Sequence, residues 1–340
     1  MGAVTAFVDR VNLAGDEPAA REAYREGFIQ LRSQLEMYPV SSRRPSIIFE
    51  SAAKTASDLA ADCLPLAIAV AMHLYPICVL QCVPLPLLSV ARFQRAMLLR
   101  AIRNRSLILA NAGSERSRTT EHPLIARHDA NGVRIDGTCE YMSLATVADV
   151  VLFKARLANG AGTVLCAADL RAETVRIGDW RFSGSMRLSD TCPVTFDGHS
   201  VPRGRFVIVA DDEALRCTSD YQRCWFHLFL ADMYLARVQR LHESWAVRRS
   251  RELVMSLNEL AQLRAYALRL LDDFTSGSDL QPLNAITSAI KLRVSSIAQS
   301  TMAALKDRTD ASELGYIRFQ PTADDIILKN IRALGACRSG

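Results

Sequence analysis

Nine cysteines give this 340-residue sequence its widest choice of chemistry, because a thiol can bind a metal, attack a substrate or form a disulfide. They lie at positions 63, 78, 82, 139, 166, 192, 217, 224 and 337. Their number is odd, no two are spaced as CxxC, and no histidine stands at metal-ligand spacing from any of them. We therefore predict reduced thiols in a cytoplasmic protein, and no metal centre.

His73 is the one polar residue in the apolar run Leu64–Leu80, LPLAIAVAMHLYPICVL. The run is nearly as long as the ~20 residues that span a bilayer. His73 and Pro76 interrupt it, and prolines follow at positions 84 and 86. We expect a buried core helix rather than a membrane span, since a helix that is apolar all round suits the middle of a large helical domain.

The composition is that of a folded globular protein, with 49% hydrophobic and 23% charged residues. The net charge of +5 is spread over 41 basic and 36 acidic residues, without a Lys/Arg block typical of a nucleic-acid arm or a polybasic membrane segment. The N-terminus has neither a basic n-region nor an apolar h-region, which favours the cytoplasm. Neither a nucleic acid nor a membrane is therefore expected as a partner.

Three zones differ in the period of their apolar residues. From Glu17 to about Arg105 the period is helical, as in EPAAREAYREGFIQLRSQLEMY. From about Ser106 to Ala210 short runs of period two, such as ADVVLFKARL and RFVIVA, predict antiparallel strands. Helical period returns from about Asp212. We predict an α+β protein with a helical domain at 1–105, a middle β domain at 106–211 and a helical bundle at 212–340.

Two segments of the β zone resemble motifs of the acyl-CoA dehydrogenase superfamily. GVRIDGTCEYMSLATVADVVLF at 132–153 is similar to the family's hairpin, and WRFSGSMRLSDTCPVTFDGHSVPRGRF at 180–206 is similar to a later strand segment. The resemblance extends over nearly the whole chain. It implies a flavoprotein fold with an N-terminal helical domain, a middle antiparallel β-barrel or sandwich, and a C-terminal four-helix bundle.

The resemblance also implies roles for residues near the flavin FAD. Tyr141 and Ser143 hold the hairpin positions that border the isoalloxazine ring in relatives, one covering its face and the other hydrogen-bonding it. The structural alternatives are a cross-strand packing aromatic and an exposed strand serine. His73 stands where relatives have a histidine facing the substrate pocket, against the alternative of a buried histidine bonded to a backbone carbonyl.

Other expected cofactor contacts are altered. Ala110 replaces the family's flavin-bonding threonine, and Gly113 and Ser114 form a changed phosphate contact. Arg249 takes the place of the arginine that reaches the FAD pyrophosphate of a neighbouring subunit, with Glu252 where phenylalanine is expected. A solvated basic helix face explains Arg249 equally well. The family's glycine loop reads TDASELGYIRFQP here, which keeps a single glycine for close backbone approach.

The carboxylate that removes an α-proton in family dehydrogenases is absent from its usual segment, where this chain has Ala336. Some relatives carry that base on an earlier helix, and DMYLARVQRLHESWAV offers Asp232 and Glu243. Both are also ordinary helix-surface carboxylates.

Three functions follow as expectations. The first is an acyl-CoA dehydrogenase-like oxidoreductase that binds FAD, acts on an acyl-CoA or acyl-carrier substrate and forms a homodimer or homotetramer. The second is a flavin-dependent monooxygenase of the same fold, which needs no carboxylate base. The third is a non-redox protein, such as one subunit of a heteromeric dehydrogenase.

Overall fold

The structure, a computed structural model, describes residues 2–83, 90–112, 124–160, 162–209, 212–244, 251–274 and 279–304. The chain forms two compact units. The sheet unit contains the residues up to Tyr38 together with Ala69–Thr218, and the helical unit contains Pro39–Ile68 and the chain from Ser219 onward. The three-domain division at residues 105 and 211 stays a prediction.

The described part of the chain contains eight α-helices, five before the strands and three after them. They are α1 (Gly2–Leu13), α2 (Glu17–Arg32), α3 (Pro45–Asp62), α4 (Leu64–Cys82), α5 (Val90–Asn104), α6 (Asp212–Ser244), α7 (Arg251–Asp273) and α8 (Gln281–Ala304). Local sequence fixes the start of α2. Asp16 caps this helix by accepting a hydrogen bond from the Ala19 amide at 2.9 Å, and Pro18 occupies the first turn, where no amide donor is needed.

Helix α4 is the helix in the described part of the chain that is long and apolar enough to cross a membrane. Buried residues make up 89% of its most apolar stretch. Pro76 lies inside the helix without ending it. This burial is what the core helix of a soluble protein requires, as the sequence predicted.

The β zone folds into one eight-stranded sheet. Its strands are β1 (Leu109–Ala112), β2 (Leu124–Asp129), β3 (Gly132–Ser143), β4 (Val150–Leu157), β5 (Thr163–Asp169), β6 (Val175–Ile177), β7 (Cys192–Pro202) and β8 (Phe206–Val209). The strand order is β6-β7-β3-β1-β4-β5-β8, and β2 pairs with both β3 and β4.

The sheet is mixed, whereas the sequence predicted antiparallel pairing throughout. Strands β1 and β2 are each antiparallel to β3 and parallel to β4. Both strands therefore lie between β3 and β4, although β3 and β4 follow one another directly in the chain. The period-two pattern fixes which residues face the core but carries no information about which strands become neighbours.

Aliphatic packing holds the start of β1 in place. Ile77 of α4 and Ile102 of α5 form a buried cluster with Leu109, Val150 and Ala167 of the sheet. Each buried aliphatic side chain of this size contributes on the order of 1.5–3 kcal/mol relative to exposure. This packing fixes the start of β1 and therefore the position of Asn111, two residues further along the strand.

Candidate functional site

A β-bulge near the end of β3 places an aromatic ring at the surface. Cys139 pairs with Val194 and Met142 with Cys192, so β3 contains one residue more than β7 over this stretch. Bulges of this kind redirect side chains. Tyr141, in the bulge, is 49% exposed, which is unusual for a large aromatic residue in a sheet.

The Tyr141 ring stacks on Phe182, with 6.2 Å between ring centroids and 29° between their planes. Ser143 lies two residues further along the same strand, beyond the bulge. It is 8% exposed, and its Oγ lies 3.0 Å from Thr191 Oγ1. We call Tyr141, Ser143 and Phe182 the hairpin site.

Asn111 of β1 pairs directly with Ser143 across the strands, so their side chains share one face of the sheet. The Asn111 amide donates to the hydroxyl oxygen of Tyr75. Sequence reasoning missed Asn111, although it lies beside Ala110. The pairing of β1 with the end of β3 is what brings it to Ser143.

Ala110 is fully buried and pairs with Val151 of β4. Its methyl group has no hydrogen-bonding capacity, so a ligand contact at this position is limited to the backbone. The other predicted contacts, Gly113, Ser114 and Arg249, lie outside the described residues, as do the side chain of Glu252 and the segments containing Gly315 and Ala336.

Asp190 is a completely buried carboxylate behind the hairpin site. It accepts hydrogen bonds from the Trp180 indole at 2.9 Å, the Thr146 amide at 2.9 Å and the Thr146 hydroxyl at 2.8 Å. Burial raises its pKa to about 6, and these three donors oppose the rise. Asp190 therefore ties the loop after β3 to the segment that carries Phe182. The sequence signal for it is its place in the SDT of the second motif.

A cleft of about 370 Å³ lies next to Phe182 of the hairpin site. Its lining also includes Trp180, the acidic residues Asp16 and Glu17, and two arginines. Its basic side chains are already engaged. Arg181 pairs with Glu140, and Arg187 donates to the Val11 carbonyl at 3.0 Å. The cleft therefore combines two aromatic rings with charged side chains of both signs.

His73 is fully buried and joins α4 to β1. Its Nδ1 accepts from the Leu109 amide at 2.9 Å, and its Nε2 lies 2.9 Å from the Met37 carbonyl. Because an amide only donates and a carbonyl only accepts, the ring is neutral with its proton on Nε2. Burial lowers the pKa of His73 to about 4. Both nitrogens are therefore occupied within the protein.

Asp232 and Glu243 belong to α6 in the helical unit. Arg264 binds Asp232 through two hydrogen bonds, Nε to Oδ1 at 2.7 Å and a second nitrogen to Oδ2 at 2.9 Å. Burial raises the pKa of Asp232, and the Arg264 hydrogen bonds oppose the rise. Glu243 is exposed. Within the described ranges, no three His, Cys, Asp or Glu side chains are grouped to hold a metal ion.

The residues of the hairpin site fit the ring portion of a flavin. The exposed Tyr141 ring, stacked on the half-buried Phe182, offers an apolar face, and Ser143 provides a hydroxyl group two residues further along β3. The absence of a hydrogen-bonding side chain at Ala110 removes one contact that the resemblance leads us to expect. The segments expected to meet the phosphates lie outside the described residues, so the fit concerns the ring.

Solved structures similar to this one bind FMN or are described as monooxygenases. KijD3 in complex with FMN and dTDP-3-amino-2,3,6-trideoxy-4-keto-3-methyl-D-glucose has a TM-score of 0.72 at 16% identity, covering 99% of this chain and 94% of that one. Methanesulfinate monooxygenase MsuC from Pseudomonas fluorescens has 0.67 at 13% identity, covering 98% and 93%. FMN-bound TdsC from Paenibacillus sp. A11-2 has 0.62 at 19% identity, covering 98% and 94%. No protein-family model and no curated protein sequence matches the chain.

Proposed function

We propose that this chain, which has the acyl-CoA dehydrogenase fold that its motifs predicted, is a flavin-dependent monooxygenase. The observation that carries the proposal is the hairpin site at the end of β3, where the exposed Tyr141 ring stacks on the half-buried Phe182 and Ser143 follows two residues later. Bound reduced flavin supplies two electrons, so that one oxygen atom of O2 enters the substrate and the other leaves as water.

The missing base favours oxygenation over dehydrogenation. Removing an α-proton from an acyl thioester needs a carboxylate that is free to accept it. Asp232 is held by Arg264 in a two-bond ion pair, and Glu243 is an exposed residue of α6. Monooxygenation makes no such demand. Two of the similar structures, MsuC and TdsC, carry monooxygenase names, which supports the same choice.

In this proposal each residue of the hairpin site has a defined task. The Tyr141 ring covers the flavin face and, with Phe182, keeps bulk water from one side of it. Ser143 hydrogen-bonds the edge of the ring. Asp190 acts indirectly. It accepts hydrogen bonds from Trp180, in the segment that carries Phe182, and from Thr146, in the loop that follows β3.

Anaerobic titration of the protein with flavin and with acyl-CoA, followed by the addition of O2, distinguishes the three functions set out from the sequence. We expect FMN or FAD to bind the purified protein and quench flavin fluorescence, and we expect the reduced complex to consume O2. Bleaching of bound flavin by an acyl-CoA without O2 would instead identify a dehydrogenase. A protein that binds neither flavin in either redox state would be the non-redox member, and the proposal would fail.

The proposal also covers the cellular compartment and the oligomeric assembly of the protein. The protein acts in the cytoplasm with its cysteines reduced, and the seven cysteines whose side chains the structure describes form no disulfide with one another. It assembles as a homodimer or homotetramer, with Arg249 reaching the cofactor of a neighbouring subunit. Light scattering of the flavin-loaded protein tests the assembly, and a monomeric complex would contradict it.

A further inference from the structure

Two large apolar side chains protrude from α5 of the sheet unit. Phe93 is 67% exposed and Met97 is 51% exposed, and they lie one helical turn apart. The opposite side of the helix is already packed, since Leu98, Leu99 and Ile102 meet the aliphatic cluster at the start of β1. Phe93 and Met97 therefore form an apolar ridge that the described part of the chain leaves open to solvent.

Arginines flank this ridge. Helix α5 contains four arginines and no aspartate or glutamate. Arg100 is exposed and lies on the same helix face as the ridge, seven residues after Phe93 and three after Met97. Arg95 donates to the Val83 carbonyl at 2.6 Å. This acceptor is uncharged, so the hydrogen bond leaves the positive charge of the helix uncancelled.

A second basic segment lies beside α5. The side-chain amide of Gln94 donates to the Arg203 carbonyl at 3.1 Å, which places the turn Arg203–Arg205 against the helix. Arg203 and Arg205 are both exposed. Among the described residues, neither they nor Arg100 forms an ion pair with a carboxylate. Their charges are therefore available to an anionic partner.

Folding assembles these side chains from two segments that are far apart in the chain, which is why the sequence shows no Lys/Arg block. We call the five exposed residues the α5 surface: Phe93, Met97, Arg100, Arg203 and Arg205. Asp129, next to the Ala130 carbonyl to which Arg203 donates at 3.4 Å, brings one negative charge, so the surface stays net positive. A second copy that met it through the same face would place like charges together.

We infer that the α5 surface binds an anionic lipid bilayer, with Phe93 and Met97 in the headgroup region and the arginines at the lipid phosphates. An apolar ridge is stabilised on leaving water, and a bilayer receives it without a matching recess. Anionic headgroups attract arginine, whose aliphatic stem lies along apolar surface while its guanidinium stays at the level of the phosphates.

This contact is peripheral, because α4 stays buried inside the protein. It is also independent of the proposed function, since it uses none of the residues of the hairpin site.

Co-sedimentation of the full-length protein with vesicles tests the inference. One vesicle is made of phosphatidylcholine alone, and the other contains phosphatidylglycerol in addition. We expect binding to the anionic vesicle to be about tenfold tighter than binding to the neutral one. High salt should abolish most of this difference, because counterions screen the arginines.

Two variants and two matched controls identify the surface. Phe93→Ala should weaken binding to the anionic vesicle about tenfold by removing apolar area, and Arg100→Gln should weaken it about fivefold by removing one charge. Ile29→Ala is the apolar control, since Ile29 is 58% exposed on α2, a helix with three glutamates. Arg176→Gln is the basic control, since Arg176 pairs with Asp197 at 2.8 Å. Both controls should bind as the wild type does.

Equal binding to the two vesicles, or binding that Phe93→Ala leaves unchanged, would overturn the inference. A protein that binds neither vesicle would overturn it as well. If Phe93→Asp then reduced the size of the assembly in light scattering, the surface would be a contact between two copies. FMN titration of Phe93→Ala should give the wild-type affinity, so a failure of vesicle binding and a failure of flavin binding are measured separately.

Discussion

The sheet unit and the helical unit satisfy their buried polar groups in different ways. In the sheet unit the hydroxyl groups of Ser189, Thr191 and Ser143 form a buried chain, with 2.8 Å and 3.0 Å between successive oxygens. In the helical unit both carboxylate oxygens of Asp232 accept hydrogen bonds from Arg264. The Arg264 guanidinium also lies 5.4 Å from the Phe49 ring centroid.

The difference separates the side chains able to meet a ligand from those that hold the fold. The exposed Tyr141 ring has a face available to a ligand, whereas Ser143 is itself buried. In a buried ion pair, the attraction between the two charges offsets the free energy of removing them from water. A ligand that separated the pair would leave a buried charge without a partner. The comparison assigns chemistry to the hairpin site and structure to Asp232.

The largest effect should come from opening the ion pair. Asp232→Ala leaves the Arg264 guanidinium without its partner in a mostly buried site, so the free energy of unfolding should fall by about 3 kcal/mol. Chemical denaturation followed by circular dichroism measures this. FMN affinity should stay within about threefold, because the hairpin site is unchanged.

A matched control for this variant is Glu259→Ala, which removes an ion pair with Arg293 that is about half exposed. It should cost less than about 1 kcal/mol, since exposed pairs contribute little. A stable Asp232→Ala protein that has lost turnover would break the comparison and make Asp232 a catalytic base.

A smaller effect should appear in the pH dependence of stability. The pKa of His73 is about 4 in the folded protein and near 6.5 when unfolded, so below pH 6.5 the unfolded state binds a proton that the folded state does not. The contribution of His73 is therefore present at pH 7.5 and lost as the pH falls toward 4. Between pH 7.5 and 5 this amounts to about 2 kcal/mol.

The variant His73→Gln isolates this contribution, because glutamine can still donate and accept but does not titrate. It should be less stable than the wild type at pH 7.5 and lose less stability on acidification. Asp190, with its raised pKa, contributes in the opposite sense in both proteins and cancels in the difference. Equal losses in the two proteins would mean that His73 does not sense pH.

The smallest effect concerns the aromatic ring. Tyr141→Ala should weaken FMN binding about tenfold by removing the surface that stacks on the ligand, while Tyr141→Phe should retain most of the affinity. Tyr266 of α7 is 50% exposed, against 49% for Tyr141, so Tyr266→Ala is a matched control expected to leave binding unchanged. Fluorescence titration gives the affinities. Equal losses in the two alanine variants would remove the distinction between the units.

Much of the site's framework could be predicted from local sequence. Apolar period separated helices from strands, and the motifs around Tyr141 and Ser143 indicated the fold that the structure has. Asn111 and Asp190 could not be found this way. Their importance depends on the pairing of β1 with β3 and on the burial of a carboxylate between two loops.

The sequence by itself determined the periods, the buried character of α4 and the residue types at the hairpin, since these depend on side chains a few positions apart. Tertiary structure alone decided the parallel pairing of β1 and β2 with β4, the ion pair of Asp232 and the hydrogen bond between Ser143 and Thr191. Each of these joins residues far apart in the chain. Whether a polar group keeps a free lone pair depends on which neighbours folding brings within hydrogen-bonding distance.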